Sequence, residues 1–231
     1  HLMMYICAMG IAIAPAAPDG VAPFRYVGGD WSVDFVNTAN WPGRRLDRFT
    51  GYARVLEWAE GAGAVSAATV SSLRALGEEF PARAVRVLAE AVQLRQLLER
   101  LFYRISQHQP APDEIAALNE QWLSRSLADL ALLDRGDGTL GLGWPRADTA
   151  LESPLWVVAR ATAMLLASGD APRIRRCEGD GCGWYYVDRS RNGLRRWCEM
   201  ETCGTRMKSR RRAERTSISH ATGDERQPAP S

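Results

Sequence analysis

Apolar residues recur at helical spacing along most of the chain between residues 50 and 168. Thr50 is a candidate N-cap for a helix near residues 52–61, and Ser66 for a second helix. Pro81 opens a long helix to about residue 108, with arginines on much of its polar face. The predicted apolar stripe of this long helix consists of Val85, Leu88, Val92, Leu97, Leu101 and Ile105.

Further helices are predicted to begin at Pro112 and at Ser153, the second continuing to about Ser168. Between them, two short strands flank the turn 135–138, whereas the stretch 31–41 fits a strand or a helix equally. The fold class is therefore mainly α with small β elements. We expect residues 24–171 to form a helical domain that includes a short β-hairpin.

The positive charge of the chain is concentrated in one region. The whole chain has a net charge of +2, but residues 173–215 contain 13 Lys or Arg against 6 Asp or Glu, which leaves the rest at −5. Such asymmetry indicates an attached module with an anionic partner: nucleic acid, a membrane surface or an acidic protein. No apolar run has the length of roughly 18 residues that a membrane span needs.

Four of the five cysteines form two close pairs in this basic region. Cys177-x4-Cys182 and Cys198-x4-Cys203 are separated by 15 residues, so the four thiolates can converge on one structural Zn²⁺. Disulfide bonds are the competing use of the four cysteines. Iron–sulfur motifs have tighter spacings, and catalytic zinc usually has histidine or carboxylate ligands, whereas no histidine lies between Cys177 and Cys203.

Glycine and aromatic residues around the cysteines suggest the local fold. Gly181 and Gly183 flank Cys182 and allow a tight turn. The stretches "WYYV" and "LRRW" are strand-like and flank an Asn-Gly turn signal, so they predict a hairpin. A helix is predicted to begin near Cys203, which completes a treble-clef-like zinc finger over residues 172–215.

These motifs closely resemble the CGNR zinc finger, which has a Cys-x4-Cys knuckle, an aromatic strand, an Arg-Arg-Trp-Cys run and a final Cys-Gly-Asn-Arg. Here they read "GWYYVD", "RRWC" and "CGTR". The preceding region, with "DFVNT" near its start, is similar to the ABATE domain of bacterial stress-induced transcription regulators. The resemblance implies a zinc-bound, DNA-associated bacterial protein with the four cysteines as ligands.

Thr205 stands where the family signature has asparagine. A threonine can replace asparagine as a helix cap, but it cannot reproduce a bidentate contact to adenine. On a helix that starts at Cys203, Met207 faces inward. The predicted outward, base-reading face carries Thr205, Lys208, Ser209 and Arg212, and the predicted phosphate contacts are Arg195, Arg196, Arg206, Arg210 and Arg211.

The helical region offers weaker functional signals. Asp34, Asn37 and Thr38 could line a small-molecule pocket, although such groups more often satisfy backbone donors. His108 lies at a predicted helix end, where a favourable interaction with the helix dipole or plain solvation accounts for it. No catalytic constellation stands out, so we expect the protein not to be an enzyme.

The sequence thus predicts a cytoplasmic, DNA-binding transcription regulator in which a helical sensing or assembly domain precedes the zinc finger. The helical domain would receive a small-molecule or protein signal, and a homodimer fits such a regulator. The alternative is an adaptor that binds an acidic protein or RNA, and an enzyme with a pocket in the helical domain has the least support. Residues 1–23 are predicted to be disordered, an expression remnant or a mis-assigned start, and residues 216–231 a disordered tail.

Overall fold

The computed structural model describes residues 23–39 and 47–223, with side chains through residue 215. This part of the chain is mainly helical, as predicted. Its elements are α1 (Trp31–Val36), α2 (Tyr52–Gly61), α3 (Ala67–Glu79), α4 (Pro81–Ser106), α5 (Pro112–Leu118), α6 (Ser124–Ala128), β1 (Ala131–Asp134), β2 (Leu140–Gly143), α7 (Ser153–Ala167), β3 (Ile174–Arg176), β4 (Tyr185–Val187) and α8 (Thr205–Gly223). Within the described residues, no helix is both long and apolar enough to cross a membrane.

Local signals fix most helix starts. The Ser66 hydroxyl accepts a hydrogen bond from Thr69 N at 3.2 Å and caps α3, while proline occupies the first turn of α4, α5 and α7. The prediction for Thr50 was wrong, because Gly51 is the N-cap of α2 and provides no side-chain acceptor. At the other end of the chain, α8 continues past residue 215 to Gly223, so the tail predicted from residue 216 is helical at its start. Residues 1–22 and 224–231 lie outside the described part.

Helix α4 is the central element, and its buried face agrees with the predicted stripe at Leu97 and Leu101 but not at Val85. Val85 is 65% exposed, while Ala84 and Ala91 are buried with Leu94 and Leu98. The small alanines lie on the core side because α1, α2 and α3 pack against α4. Among the arginines assigned to the polar face, Arg95 is buried instead; its guanidinium pairs with Asp47 and lies 5.0 Å from the centre of the Phe49 ring.

The ambiguous stretch near residue 31 forms helix α1. Asp30 caps it by accepting a hydrogen bond from Ser32 N at 2.9 Å. Phe35 is fully buried, with its ring edge-on to Trp58 at 5.0 Å between centroids. The helix packs against α4, α7 and β4, so it links the helical core to the basic region.

Two antiparallel hairpins complete the fold. The predicted pair β1–β2 is confirmed, with Ala131 opposite Gly143 and Asp134 opposite Leu140. The hairpin predicted from "WYYV" and "LRRW" was wrong, because β4 pairs with β3, the strand that precedes Cys177. Residues 194–197 form no strand; there the Arg196 carbonyl accepts from Glu178 N at 3.0 Å and holds this segment against the knuckle.

Strand β4 packs one face against each of two hydrophobic clusters. Tyr185 and Val187 belong to the large helical core, together with Ile174 of β3. The alternate residues Trp184 and Tyr186 pack with the four cysteines in a second cluster. This alternation follows from the two faces of a β-strand, and it joins the finger to the helices through one continuous stretch of backbone.

Candidate metal centre and nucleic-acid interface

The four cysteine sulfurs converge on one point. All four Sγ atoms lie within 4.8 Å of one another, and Cys198 Sγ is 3.7 Å from both Cys182 Sγ and Cys203 Sγ. Four sulfurs placed tetrahedrally at about 2.3 Å from Zn²⁺ would be about 3.8 Å apart. The described cluster contains no histidine or carboxylate ligand, so the donor set fits a closed structural zinc site.

The sequence brings the sulfurs together by two short turns. Cys177 directly follows β3, and Cys182 follows it across the knuckle, where Gly181 has a φ of +66° and Gly183 a φ of +85°. A Cβ on Gly179 would lie 3.0 Å from Cys203 Cβ and 3.1 Å from its sulfur, so this glycine is needed for the close approach. The second pair lies at the start of the C-terminal helical segment, with Cys203 in the π-helical turn Met200–Gly204 that leads into α8.

The chemistry of the sulfurs also favours a cation. Hydrogen bonds from the thiols of Cys182 and Cys198 lower the pKa of Cys177 to about 2. The bond to Cys177 raises the pKa of Cys182 to about 12, and bonds to both neighbours raise the pKa of Cys198 further. The proton of Cys177 is therefore lost easily, while those of Cys182 and Cys198 are held more tightly. A divalent cation satisfies all four thiolates at once.

Donors around the cluster support thiolate ligands. Gly179 N and Cys198 N donate to Cys177 Sγ at 3.4 and 3.3 Å. The Arg206 guanidinium lies 3.6 Å from Cys203 Sγ and also donates to Asp180 O at 3.0 Å. Because four thiolates on Zn²⁺ carry a net charge of −2, this arginine partly offsets the charge of the site.

Arg195 is an internal support rather than a surface cation. Its Nε donates to Trp197 O at 2.9 Å and its Nη2 to Val27 O at 3.2 Å, while the guanidinium lies 4.3 Å from the centre of the Tyr186 ring. It thus ties the segment before Cys198 to the chain that enters α1. The predicted phosphate contact at Arg195 is corrected on this ground, since its donors are directed to backbone carbonyls.

Asp188 is a structural residue that the sequence analysis missed. Its buried carboxylate accepts hydrogen bonds from Ser190 N at 3.0 Å and from Arg195 N at 3.1 Å. These bonds shape the loop between β4 and Cys198. An Asp two residues before a Ser, at the start of a turn, was the available signal.

Helix α8 presents two different faces. Towards the knuckle, Met207 is half-buried and Arg210 forms ion pairs with Asp180 and, at 2.8 Å, with Glu214. On the outer side, exposed cations occur at positions i, i+3, i+4 and i+7, which fall within a narrow arc of a helix. We call this set the cationic stripe; it consists of Lys208, Arg211, Arg212 and Arg215.

The remaining predicted contact residues divide between these faces. Thr205 is exposed, and its hydroxyl donates to Met200 O at 3.1 Å instead of capping a backbone N–H. Ser209 is exposed beside the cationic stripe. Arg196 is exposed but bonded through Nε to Glu178 at 2.6 Å. Thus Lys208, Ser209, Arg211 and Arg212 point outward together, whereas Arg206 and Arg210 brace the finger.

The pocket predicted from Asp34, Asn37 and Thr38 is not formed by these residues, which are buried and hydrogen-bonded. Asp34 accepts from Gly28 N at 2.8 Å, and the Thr38 hydroxyl donates to Phe35 O at 2.7 Å. The Asn37 amide donates to Tyr185 O at 2.9 Å and accepts from Tyr185 N at 2.8 Å. The "DFVNT" motif therefore attaches α1 to β4 of the finger.

Comparison with known families finds two matches, one in the helical region and one in the cysteine-containing region. Residues 29–169 match the ABATE family, described as "Putative stress-induced transcription regulator". Residues 173–216 match the CGNR zinc finger. No curated protein matches the chain. The zinc finger match and the sulfur geometry together assign one structural Zn²⁺ to Cys177, Cys182, Cys198 and Cys203.

Proposed function

The chain belongs to the ABATE family and carries a CGNR zinc finger, and on this premise we propose that it is a bacterial, DNA-binding and non-enzymatic transcription regulator. Zinc would hold the finger in shape, and the helical domain would receive a signal. A regulator that acts on DNA belongs in the cytoplasm of such a cell. The homodimer expected from the sequence stays a prediction.

The cationic stripe is the observation that carries the proposal. All four of its side chains are exposed, and the one carboxylate among residues 205–215, Glu214, pairs with Arg210 on the other side of the helix. An α-helix of about 10–12 Å diameter fits the major groove of B-DNA, which is about 12 Å wide. A helix that is braced on one face and cationic on the other is suited to enter that groove.

The bracing explains why the stripe has a fixed orientation. Arg206 and Arg210 bind Asp180 of the knuckle, and Cys203 joins the helix start to the metal site. Because the first turn of α8 is bound to the zinc site, loss of zinc would release the helix from the finger. DNA affinity should therefore depend on zinc even though no stripe residue is a metal ligand.

Selection of bound fragments from a random DNA pool, with and without a chelator, tests the proposal. We expect enrichment of one sequence class only when zinc is present. Failure of the zinc-bound chain to bind any DNA above non-specific levels, with retention of an acidic protein or RNA, would replace the regulator by the adaptor.

Variants of the stripe separate base reading from attraction. Lys208→Ala and Arg212→Ala should each cost about 1–3 kcal/mol at particular base positions if they reach base edges. Arg211→Ala should instead weaken all sequences alike and reduce the salt slope by about one. Arg86→Ala, at an exposed site on α4, is the matched control and should bind both selected and scrambled DNA normally.

Equal losses for all stripe variants on both DNAs would mean that α8 only anchors to phosphates. Arg195→Ala is expected to behave differently from the stripe variants, because it removes internal hydrogen bonds and should lower the stability of the finger itself. Its effect on binding should therefore follow the folded fraction measured by circular dichroism.

A further inference from the structure

A cleft of about 430 Å³ lies where the helical core meets the zinc finger. Its walls come from the last turns of α4, from α5 and from the β3–β4 hairpin. The residues that matter for its chemistry are Glu99, Arg100, Tyr103, Glu114, Arg176 and Tyr185. Its volume falls in the range of small-molecule sites, and its walls come from both parts of the protein.

Tyr185 places a polar group without a protein partner in this cleft. The residue is 2% exposed, with its ring edge-on to Phe102 at 6.2 Å and its backbone held by Asn37. Within the described residues its hydroxyl makes no hydrogen bond, and because this oxygen is not among the fully buried polar atoms it is open to the cleft. Burial raises the pKa of Tyr185 to about 12, so the hydroxyl keeps its proton and can donate.

The surrounding charges favour an anion. Arg104 and Glu114 neutralise each other at 3.1 Å. Arg100 and Arg176 are both exposed, and in the described part of the chain neither forms an ion pair or a side-chain hydrogen bond. With Glu99 as the remaining carboxylate, the lining has a net charge of about +1.

We propose that this cleft binds a small organic anion, whose carboxylate accepts a hydrogen bond from the Tyr185 hydroxyl and pairs with Arg100 and Arg176. The half-exposed ring of Tyr103 offers an apolar wall for the rest of the molecule. The binding does not depend on whether the chain contacts DNA. Since Arg176 and Tyr185 belong to the hairpin that leads into the zinc site, an occupant would contact both parts of the protein.

Calorimetric titration of the zinc-bound full chain with benzoate tests the proposal, with benzamide as its neutral isostere. We expect millimolar or tighter binding of benzoate and binding of benzamide about tenfold weaker or worse, because benzamide lacks the charge-assisted bonds. Equal affinity for the two compounds, or no binding of benzoate, would overturn the proposal.

Substitutions in the cleft test whether benzoate binds there. Tyr185→Phe removes only the hydroxyl and keeps the packed ring, so it should fold and bind benzoate about tenfold more weakly. Arg176→Gln and Arg100→Gln alter exposed side chains and should have similar effects, while Arg86→Gln, elsewhere on α4, should bind as the parent does. If all three cleft variants bind normally, benzoate occupies another site and the proposal is wrong.

Discussion

Asp34 is a carboxyl group that folding removes almost entirely from water. Burial raises its pKa from 3.8 to about 7, although the hydrogen bond from Gly28 N opposes the shift. Because the pKa is higher in the folded state, the native chain holds this proton more tightly than the unfolded chain. The corresponding stability is complete below pH 3.8 and is lost as the pH rises through about 7.

We therefore expect Asp34→Asn, which keeps an acceptor for Gly28 N, to raise the free energy of unfolding at about pH 8 and to flatten its fall between about pH 4 and 7. Urea denaturation across this pH range measures both effects. Asp148→Asn, at an exposed carboxylate, is the control. A pH profile of Asp34→Asn that matches the parent would show that Asp34 does not titrate in this range.

The cysteine ligands allow a direct test of the metal site. Cys182→Ser or Cys198→Ser should abolish binding of the single zinc ion, because one of four thiolates is removed from a closed site. Cys7→Ser, at the fifth cysteine of the sequence, is the control and should retain one zinc per chain. Elemental analysis gives the zinc content, and a parent protein that is folded without metal would contradict the assignment.

The cysteines could be predicted from the sequence because their spacing is local and tied to one chemistry. The roles of Asp34 and Asn37 could not be predicted in the same way. Asn37 bonds to Tyr185, which lies 148 positions away, and nothing in the "DFVNT" motif identifies that partner. A buried amide that pairs with a strand and one that lines a pocket look identical in a single sequence.

At the level of elements, the helices and the β1–β2 pairing were predicted well, whereas the partner of β4 was not. The apolar periodicity and capping residues that predict a helix lie close together in the sequence, whereas the partner of a strand can lie anywhere in the chain. The segment 194–197 has the composition of a strand, yet β3 occupies the pairing edge of β4. The N-terminal part of the buried face of α4 was misjudged at Val85, because the buried Ala84 and Ala91 were given less weight than larger apolar residues.

This face of α4 can be tested by overpacking. Ala91 is fully buried, so Ala91→Leu should lower the free energy of unfolding by about 1–3 kcal/mol. Val85 is 65% exposed, and Val85→Leu should change the free energy of unfolding by less than about 0.5 kcal/mol. Denaturant unfolding of both variants compares the two faces, and a larger loss for Val85→Leu would support the stripe inferred from sequence.

For the whole molecule, the shared strand β4 should couple the metal to the helices. Tyr185 and Val187 pack in the helical core, while Trp184 and Tyr186 pack around the cysteines. Since zinc stabilises the state that binds it, chelation should lower the melting temperature of the helices. Far-UV circular dichroism follows that melting because most helical residues precede the finger.

The control for this experiment is Cys198→Ser, whose melting should not respond to the chelator. Unchanged melting of the parent after zinc removal would show that the two regions fold separately. Residues 24–171, which the sequence predicts to form a helical domain, share their core with the finger. A chain ending there lacks Ile174, Tyr185 and Val187, so its truncated core would expose apolar side chains to water.

Because β4 packs in both hydrophobic clusters, this finger cannot be freely exchanged between proteins. A finger cut from the chain near residue 173 and fused to a foreign domain would expose Tyr185 and Val187 as an apolar surface patch. The foreign domain would need a complementary apolar groove for β4 and a side-chain amide in the position of Asn37 to bond to its backbone. Hybrid proteins made by domain shuffling should therefore be soluble only when both segments come from the same parent protein.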